Sequence, residues 1–431
     1  MKNDELRQWY RRYGPLGPEA PDPVFAEKGE GAWLEGREGK RLLDFANGGS
    51  LPLGYELGAK TGDSPPEGTG PRSGVENTPR VCPQRAARGT VPVFASCSAP
   101  GADGVVWRSE VELMHKLAEL VPGGMNRRVL VCESGREALA RAIELARAAT
   151  GRERVVYLSA ISEDRPSFSD GASGVHESQG TVHDGTVPGF GSAVAAVVAH
   201  PLDGRIKQVR QACDAAGALL IDDEAGIGPG ATGRMLAIEL PEVRPDIYVL
   251  GRGWAAGLPF GACVTGSSSL RWKCSTEGNP LGCSAALETI HLLEAGLLEQ
   301  GRKLAAYLEK RVGALSSPRL EPELWGVGLV RTLVFGTVVV PGEPVLGAVP
   351  VRGQSPSGPA AGFAGKCHEL GLLLHVLSPN SVAVRPPLVA SEKDVDFAAG
   401  VVGKVLAGFD KRAGLSEALG TVPVRGQSPE A

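Results

Sequence analysis

Residues 218–235 read ALLIDDEAGIGPGATGRM and residues 246–262 read DIYVLGRGWAAGLPFGA. In each, a short apolar run, Ala218 to Ile221 and Ile247 to Leu250, gives way to charge or glycine. Runs of this length and bounding suit buried strands. Val129 to Val131, Val155 to Leu158, Ala193 to Ala199 and Ala262 to Thr265 have the same character. Between them lie stretches of helical spacing: Glu110 to Leu120 with Val111, Met114, Leu117 and Leu120 on one side, Arg136 to Ala149, and Arg205 to Ala216. The alternation predicts an α/β fold with helices on the faces of a sheet. Asp222, Asp223 and Glu224 then stand at the carboxy end of a buried strand, the edge where open α/β sheets bind ligands. From the strand alone, a metal site or simple surface charge accounts for three adjacent acids equally well.

Further along, helical patterns over Pro280 to Ala295 and Leu298 to Leu315 lead into a strand over Gly326 to Phe335 and a helix over Ala360 to Leu370. A strand over Leu372 to Leu377 and a helix over Asp394 to Phe409 follow, which predicts a smaller α+β domain at the carboxy end. Gly (59) and Pro (33) make up about a fifth of the 431 residues, against about 12% in average usage. The surplus gathers in residues 58–104, a turn-rich insert read as loop or disordered. It also marks a short irregular repeat: GAVPVRGQSP at 347–356 and GTVPVRGQSP at 420–429, with shorter relatives at 88–94 and 184–191. Irregular spacing excludes a solenoid and fits a short element inserted into an older fold; a peptide-docking motif is the alternative.

A formal charge of −4, from 45 basic and 49 acidic side chains, argues against nucleic-acid binding. No stretch approaches about 18 consecutive apolar residues, and the amino terminus has no apolar leader core, so neither membrane spanning nor secretion is expected. Eight cysteines without a CxxC pair, and seven histidines without a motif, predict reduced thiols, no metal site and a cytoplasmic location.

Ser134-Gly135-Arg136-Glu137 sits between a strand and a helix, so the first helix amides face the loop, a geometry suited to a phosphate. Serine at that place is also an ordinary N-cap. Taken together with the 218–235 and 246–262 stretches and STEGNPLGCSAAL at 275–287, the order and spacing resemble the class III aminotransferases. This is the fold-type-I pyridoxal-phosphate family that includes ornithine, acetylornithine and 4-aminobutyrate aminotransferases. The likeness runs from about Val24 to Phe409, interrupted by the inserts.

The resemblance implies a large domain with a central, mostly parallel sheet over 105–300 and a small α+β domain over 301–413. Residues 1–57 would be the small domain's amino-terminal segment, and 414–431 a repeat-bearing tail. It implies pyridoxal 5'-phosphate as cofactor, with Ser134, Gly135 and Arg136 at the phosphate and Asp223 opposite the pyridine nitrogen. Ser275 would reach the phosphate from a neighbouring subunit, so a homodimer, or a heterodimer with an active relative, is expected. An aspartate there keeps the ring nitrogen protonated, which makes the ring an electron sink.

The chain departs from the family where chemistry is done. The Schiff-base lysine of the family's Leu-Ala-Lys-Gly run reads Leu250-Gly251-Arg252-Gly253. A guanidinium stays protonated, so Arg252 offers no free amine. The family's Tyr-His-Gly reads Ser162-Glu163-Asp164, its Glu-Pro reads His200-Pro201, and its Gly-Arg-Thr-Gly reads Gly230-Ala231-Thr232-Gly233. Its carboxylate-gripping arginine falls at Ala383, with Arg385 two positions on as the residue a register slip would supply. Lys273 and His200 are the candidate replacement bases. The expectation is a homologue that has lost ordinary transamination and keeps at most ligand binding or a partner role; noncovalent cofactor use with lysine-independent turnover is the alternative.

Overall fold

A computed structural model describes residues 26–36, 39–46, 52–57, 108–122, 127–158, 177–178, 189–267, 278–336 and 358–418, with Gln8, Val187 and Leu270. The 58–104 insert, both long copies of the repeat, Ser162-Glu163-Asp164, Lys273 and Ser275 lie outside the described residues.

Beta-forming runs near the amino end make a meander of β1 (Ala26–Gly31), β2 (Trp33–Gly36) and β3 (Arg41–Asp44), with β4 (Tyr55–Leu57) pairing antiparallel with β1 on its other side. The helix α1 (Arg108–Leu120) buries Leu113 and Leu117 and leads to β5 (Val129–Cys132). α2 (Gly135–Thr150) starts on Ser134, whose hydroxyl accepts the Glu137 N–H, and stops at Gly151, which takes the left-handed conformation at φ 67°. Its alanine-rich stripe, Ala138, Ala142 and Ala146 with Leu139 and Ile143, lies flat on the sheet. Next come β6 (Arg154–Leu158), β7 (Glu177–Ser178), β8 (Val194–Ala199), α3 (Ile206–Ala216) and β9 (Leu219–Glu224). β10 (Ile247–Leu250) and β11 (Gly261–Thr265) complete a seven-stranded sheet of order β5-β11-β10-β9-β8-β6-β7.

Within it β7, β6, β8, β9 and β10 pair in parallel, while β11 runs antiparallel to both β10 and β5. β8 is buried at all six positions, as a strand covered on both faces must be. One face carries α2 over Ile221, Val249 and Cys263; the other carries α1, α3 and α4 (Pro280–Leu292) over Val197, Leu220 and Tyr248. The central α/β layer is therefore as the sequence predicts.

Beyond it, α5 (Leu298–Val312) continues α4 through a turn at Gly296, where φ reaches 127°. By length and composition residues 280–312 could cross a membrane, yet half of their most apolar window is buried inside this core. The single strand read over Gly326 to Phe335 is instead the hairpin β12 (Glu323–Val327) and β13 (Val330–Val334), because Gly328 at φ 59° turns the chain. After α6 (Ala360–Glu369), the run Leu372 to Leu377 is likewise split. β14 (Leu372–Leu373) pairs in parallel with β3, whereas β15 (His375–Ser378) joins β16 (Ser381–Val384) and the hairpin. α7 (Glu392–Ala418) packs on α5 and α6.

Candidate ligand site at the carboxy edge of the sheet

Because β5, β8, β9 and β10 all point one way, their carboxy ends deliver Ser134, His200, Asp223 and Arg252 to one edge. β11 enters at that edge with Gly261. The loops there approach closely enough to require glycine. A Cβ on Gly135 would lie 2.7 Å from the Ala225 Cβ and 3.2 Å from the Gly251 Cα. One on Gly251 would meet the Ala225 carbonyl oxygen at 2.1 Å, and one on Gly261 the Ser134 carbonyl oxygen at 2.1 Å. The Ser134-Gly135 turn, the residue after β9 and the residue before Arg252 therefore form one backbone cradle at the start of α2. Glu137 reaches back to the Glu133 N–H at 3.0 Å, which fixes the turn. Arg252 opens a short 3-10 turn, Arg252–Ala255, anchored by the fully buried Trp254.

Strand alternation sorts the three acids. Asp223 shares the α2 side of β9 with Ile221, is half-buried, and accepts the Ala225 N–H at 3.1 Å. Asp222 and Glu224 point to the opposite face and are buried. Glu224 accepts the N–H groups of Ala237 and Ile238 at 3.0 and 2.9 Å. No N–H or hydroxyl among the described residues donates to either oxygen of Asp222, whose neighbour is the Glu224 carboxyl. Burial pushes Glu224 up to about 7 and Asp222 well above the usual carboxylate range. No group of three or more potential ligands holds a metal-binding arrangement among the described residues.

His200 and Arg385, from β8 and from the residue after β16, are within electrostatic range of each other. Burial, then the Arg385 charge, lowers His200 to about 4. Its Nδ1 accepts the Leu202 N–H at 3.2 Å, which needs that nitrogen unprotonated. The nearby Asp203 is taken up by Arg205 in a fork of 2.9 and 2.7 Å. The Arg385 backbone N–H donates to the Phe45 carbonyl, so the amino-terminal segment fixes where Arg385 leaves β16.

The edge thus brings together Ser134, Gly135, Arg136 and Asp223, with Arg252 beside the cradle, and sets His200 with Arg385. Ser275 falls outside the described residues. An anion cradle of helix-start amides with a carboxylate on β9, the strand that leads into Ala225 of the cradle, fits the phosphate and ring-nitrogen ends of pyridoxal phosphate. The residue types do not supply an amine at Arg252. The close approaches of Gly251 and Gly261 and the opposite orientation of Asp222 and Glu224 escape motif reading. The period of two along β9 was the available signal for the acids.

The family model "Aminotransferase class-III" matches residues 194–406. Among curated proteins, an acetylornithine aminotransferase from Archaeoglobus fulgidus is 30% identical over 67% of this chain and 77% of its own length. One from Listeria innocua is 27% identical over 89% and 95%. Among solved structures, the ornithine aminotransferase from Toxoplasma gondii superposes with a TM-score of 0.71 at 21% identity, covering 95% of both chains. The acetylornithine aminotransferase from Elizabethkingia anophelis gives 0.69 at 19% identity over 95% and 100%.

Proposed function

The chain belongs to the class III aminotransferases, a pyridoxal-phosphate-dependent family, and from that premise we propose that it holds pyridoxal phosphate or a similar ligand without covalent attachment and has lost ordinary transamination. The observation that carries the reading is Arg252, which follows Gly251 of the backbone cradle directly after β10. A guanidinium keeps its proton at any biological pH, so it neither attacks a carbonyl carbon nor accepts a proton from substrate. It does present a planar fork of donors suited to phosphate or carboxylate.

In this reading the α2 amides with Ser134 and Arg136 hold the phosphate, and Asp223 orients and charges the ring nitrogen. When bound, pyridoxal phosphate supplies an electron sink for a carbanion. Arg385 would bind a ligand carboxylate beside the neutral His200. Association with a second copy, or with an active relative, belongs to the same proposal, since Ser275 would enter the site from a neighbour.

A second reading, lysine-independent turnover with His200 or Lys273 as base, is favoured by one observation: the His200 imidazole is neutral at neutral pH. Against it, a base lowered to about 4 is poorly matched to abstracting a proton near pH 7. Titration of the purified protein with pyridoxal phosphate, then borohydride reduction and intact-mass measurement, tests both. Saturable absorbance change with an unchanged mass is expected. A mass increment on a pocket lysine sinks the proposal, and failure to bind reduces the chain to a partner role.

A further inference from the structure

Asp222 is the most unusual carboxyl group in the described structure. It is completely buried, no N–H or hydroxyl among the described residues donates to either of its oxygens, and it projects from β9 on the same side as Glu224, whose carboxyl is its one side-chain hydrogen-bond neighbour there. Glu224, also buried, receives two backbone N–H groups from Ala237 and Ile238. Two carboxylates on one face of a strand, both taken out of water, cannot both stay ionised without a cation.

Among the described residues, the groups that face them do not supply one. On β10, Tyr248 is the register partner of Asp222 and donates its hydroxyl to the Pro122 carbonyl. Arg127 lies beyond Tyr248, donates to the Val121 carbonyl, and acts on Tyr248 together with Arg244. Glu239, from the turn that Glu224 holds, and Asp223, on the other face of β9, only add negative charge. Neither arginine is among the charges that act on Asp222 or Glu224.

We propose that Asp222 is a neutral carboxylic acid in the folded protein, that its proton is shared with ionised Glu224, and that this buried acid pair is the positioning device that fixes the end of β9 from which Asp223 is presented. The division of roles follows from the donors: Glu224 has two N–H groups to stabilise its charge, and Asp222 has none. Because Glu224 also holds the amides of Ala237 and Ile238, the pair ties β9 to the start of the following turn. The inference concerns the folded chain itself and does not depend on any ligand.

The linkage has a definite sign. Both acids are shifted upward in the folded state, so the folded chain retains a proton that the unfolded chain has released. The stability this contributes is complete below about pH 4, the ordinary carboxyl range, and is lost as pH rises toward the raised folded values. In that window the folding equilibrium constant should fall by up to about tenfold per pH unit from this group. His200 and His368, both shifted downward, work in the opposite direction over part of the range. The reading is therefore the difference between wild type and Asp222→Asn, whose amide donates to Glu224 without titrating.

Urea unfolding of both proteins from pH 5 to 8.5 should show Asp222→Asn gaining on wild type as pH rises. Infrared spectra of the native wild type at pH 7 should show a protonated carboxyl band that exchanges only slowly with deuterium. The infrared measurement needs no variant, so it stands even if Asp222→Asn fails to fold. Parallel pH profiles for the two proteins, absence of the protonated band, or marked stabilisation of the wild type by added Mg²⁺ or Zn²⁺ that chelator reverses would each overturn the proposal, the last by replacing the proton with a cation.

Discussion

Arg252 and Asp223 reach the same edge from adjacent parallel strands, and they make opposite statements about chemistry. In the proposed reading the aspartate would charge a pyridine ring's nitrogen and so give the ring its electron-withdrawing power, whereas the arginine offers no amine by which such a ring could be attached. If the cradle around Gly135 is intact, Arg252→Lys should allow covalent capture of pyridoxal phosphate. Borohydride reduction should then add one cofactor mass per chain, localised by peptide mapping to position 252, and should leave the wild type unlabelled. A variant that binds no cofactor would show that the pocket itself is lost. Asp223 was singled out by the family resemblance, which maps the family's aspartate onto it; the apolar run that precedes the three acids marks only the end of a strand. The fates of Asp222 and Glu224 were not legible in the sequence, since three adjacent acids look alike until the strand's alternation sends the outer two under the sheet. His200 and Arg385 could be named from the sequence, but their mutual proximity comes from the fold.

At the scale of elements, the central strands were readable because buried parallel strands are short apolar runs with sharp ends. Ile247 to Leu250 is predicted and observed with the same bounds. The carboxy-terminal strands were less readable: Gly328 and the Leu372 to Leu377 run each divide one apolar stretch between two strands, and no period distinguishes the halves. Helix α7 shows how one polar residue joins such elements. Asp394 accepts the Ser391 N–H and hydroxyl, each at 2.8 Å, and its own N–H approaches the Ser391 hydroxyl at 3.3 Å, a reciprocal cap. The other Asp394 oxygen takes the Trp33 indole N–H at 2.7 Å, which ties the helix start to β2. Ser391→Ala should cost about 1 kcal/mol of stability. Asp394→Ala removes the cap and also leaves the indole without its acceptor, so it should cost about 2 kcal/mol. Urea midpoints measured side by side check the order, and equal losses would mean that the Trp33 link contributes nothing.

Across the whole molecule, the first and last parts of the chain build one core. Leu43 of β3 lies opposite Leu372 of β14, and Phe45 packs in the same cluster as Leu372, Val384 and Leu388. Backbone bonds repeat the connection: the Leu43 and Phe45 N–H groups donate to the Gly371 and Leu373 carbonyls, and the Leu388 N–H donates to Pro52. No periodicity can reveal a pairing between residues more than three hundred positions apart; the family resemblance alone placed residues 1–57 with the carboxy-terminal region. Removing residues 1–57 would strip β14 of its sheet partner and expose the apolar face that Ala32, Leu43 and Phe45 cover. Loss of several fully buried side chains at about 2–5 kcal/mol each exceeds what a region of that size retains. The truncated chain should therefore be cleaved by protease throughout residues 301–418, while the seven-stranded layer, with its own core on both faces, resists for longer. Mass mapping of a time course reads this directly. Equal protection of residues 301–418 in the truncated and full-length chains would show that the carboxy-terminal region folds without the amino-terminal strands, and that Arg385 does not need the Phe45 carbonyl to hold its place.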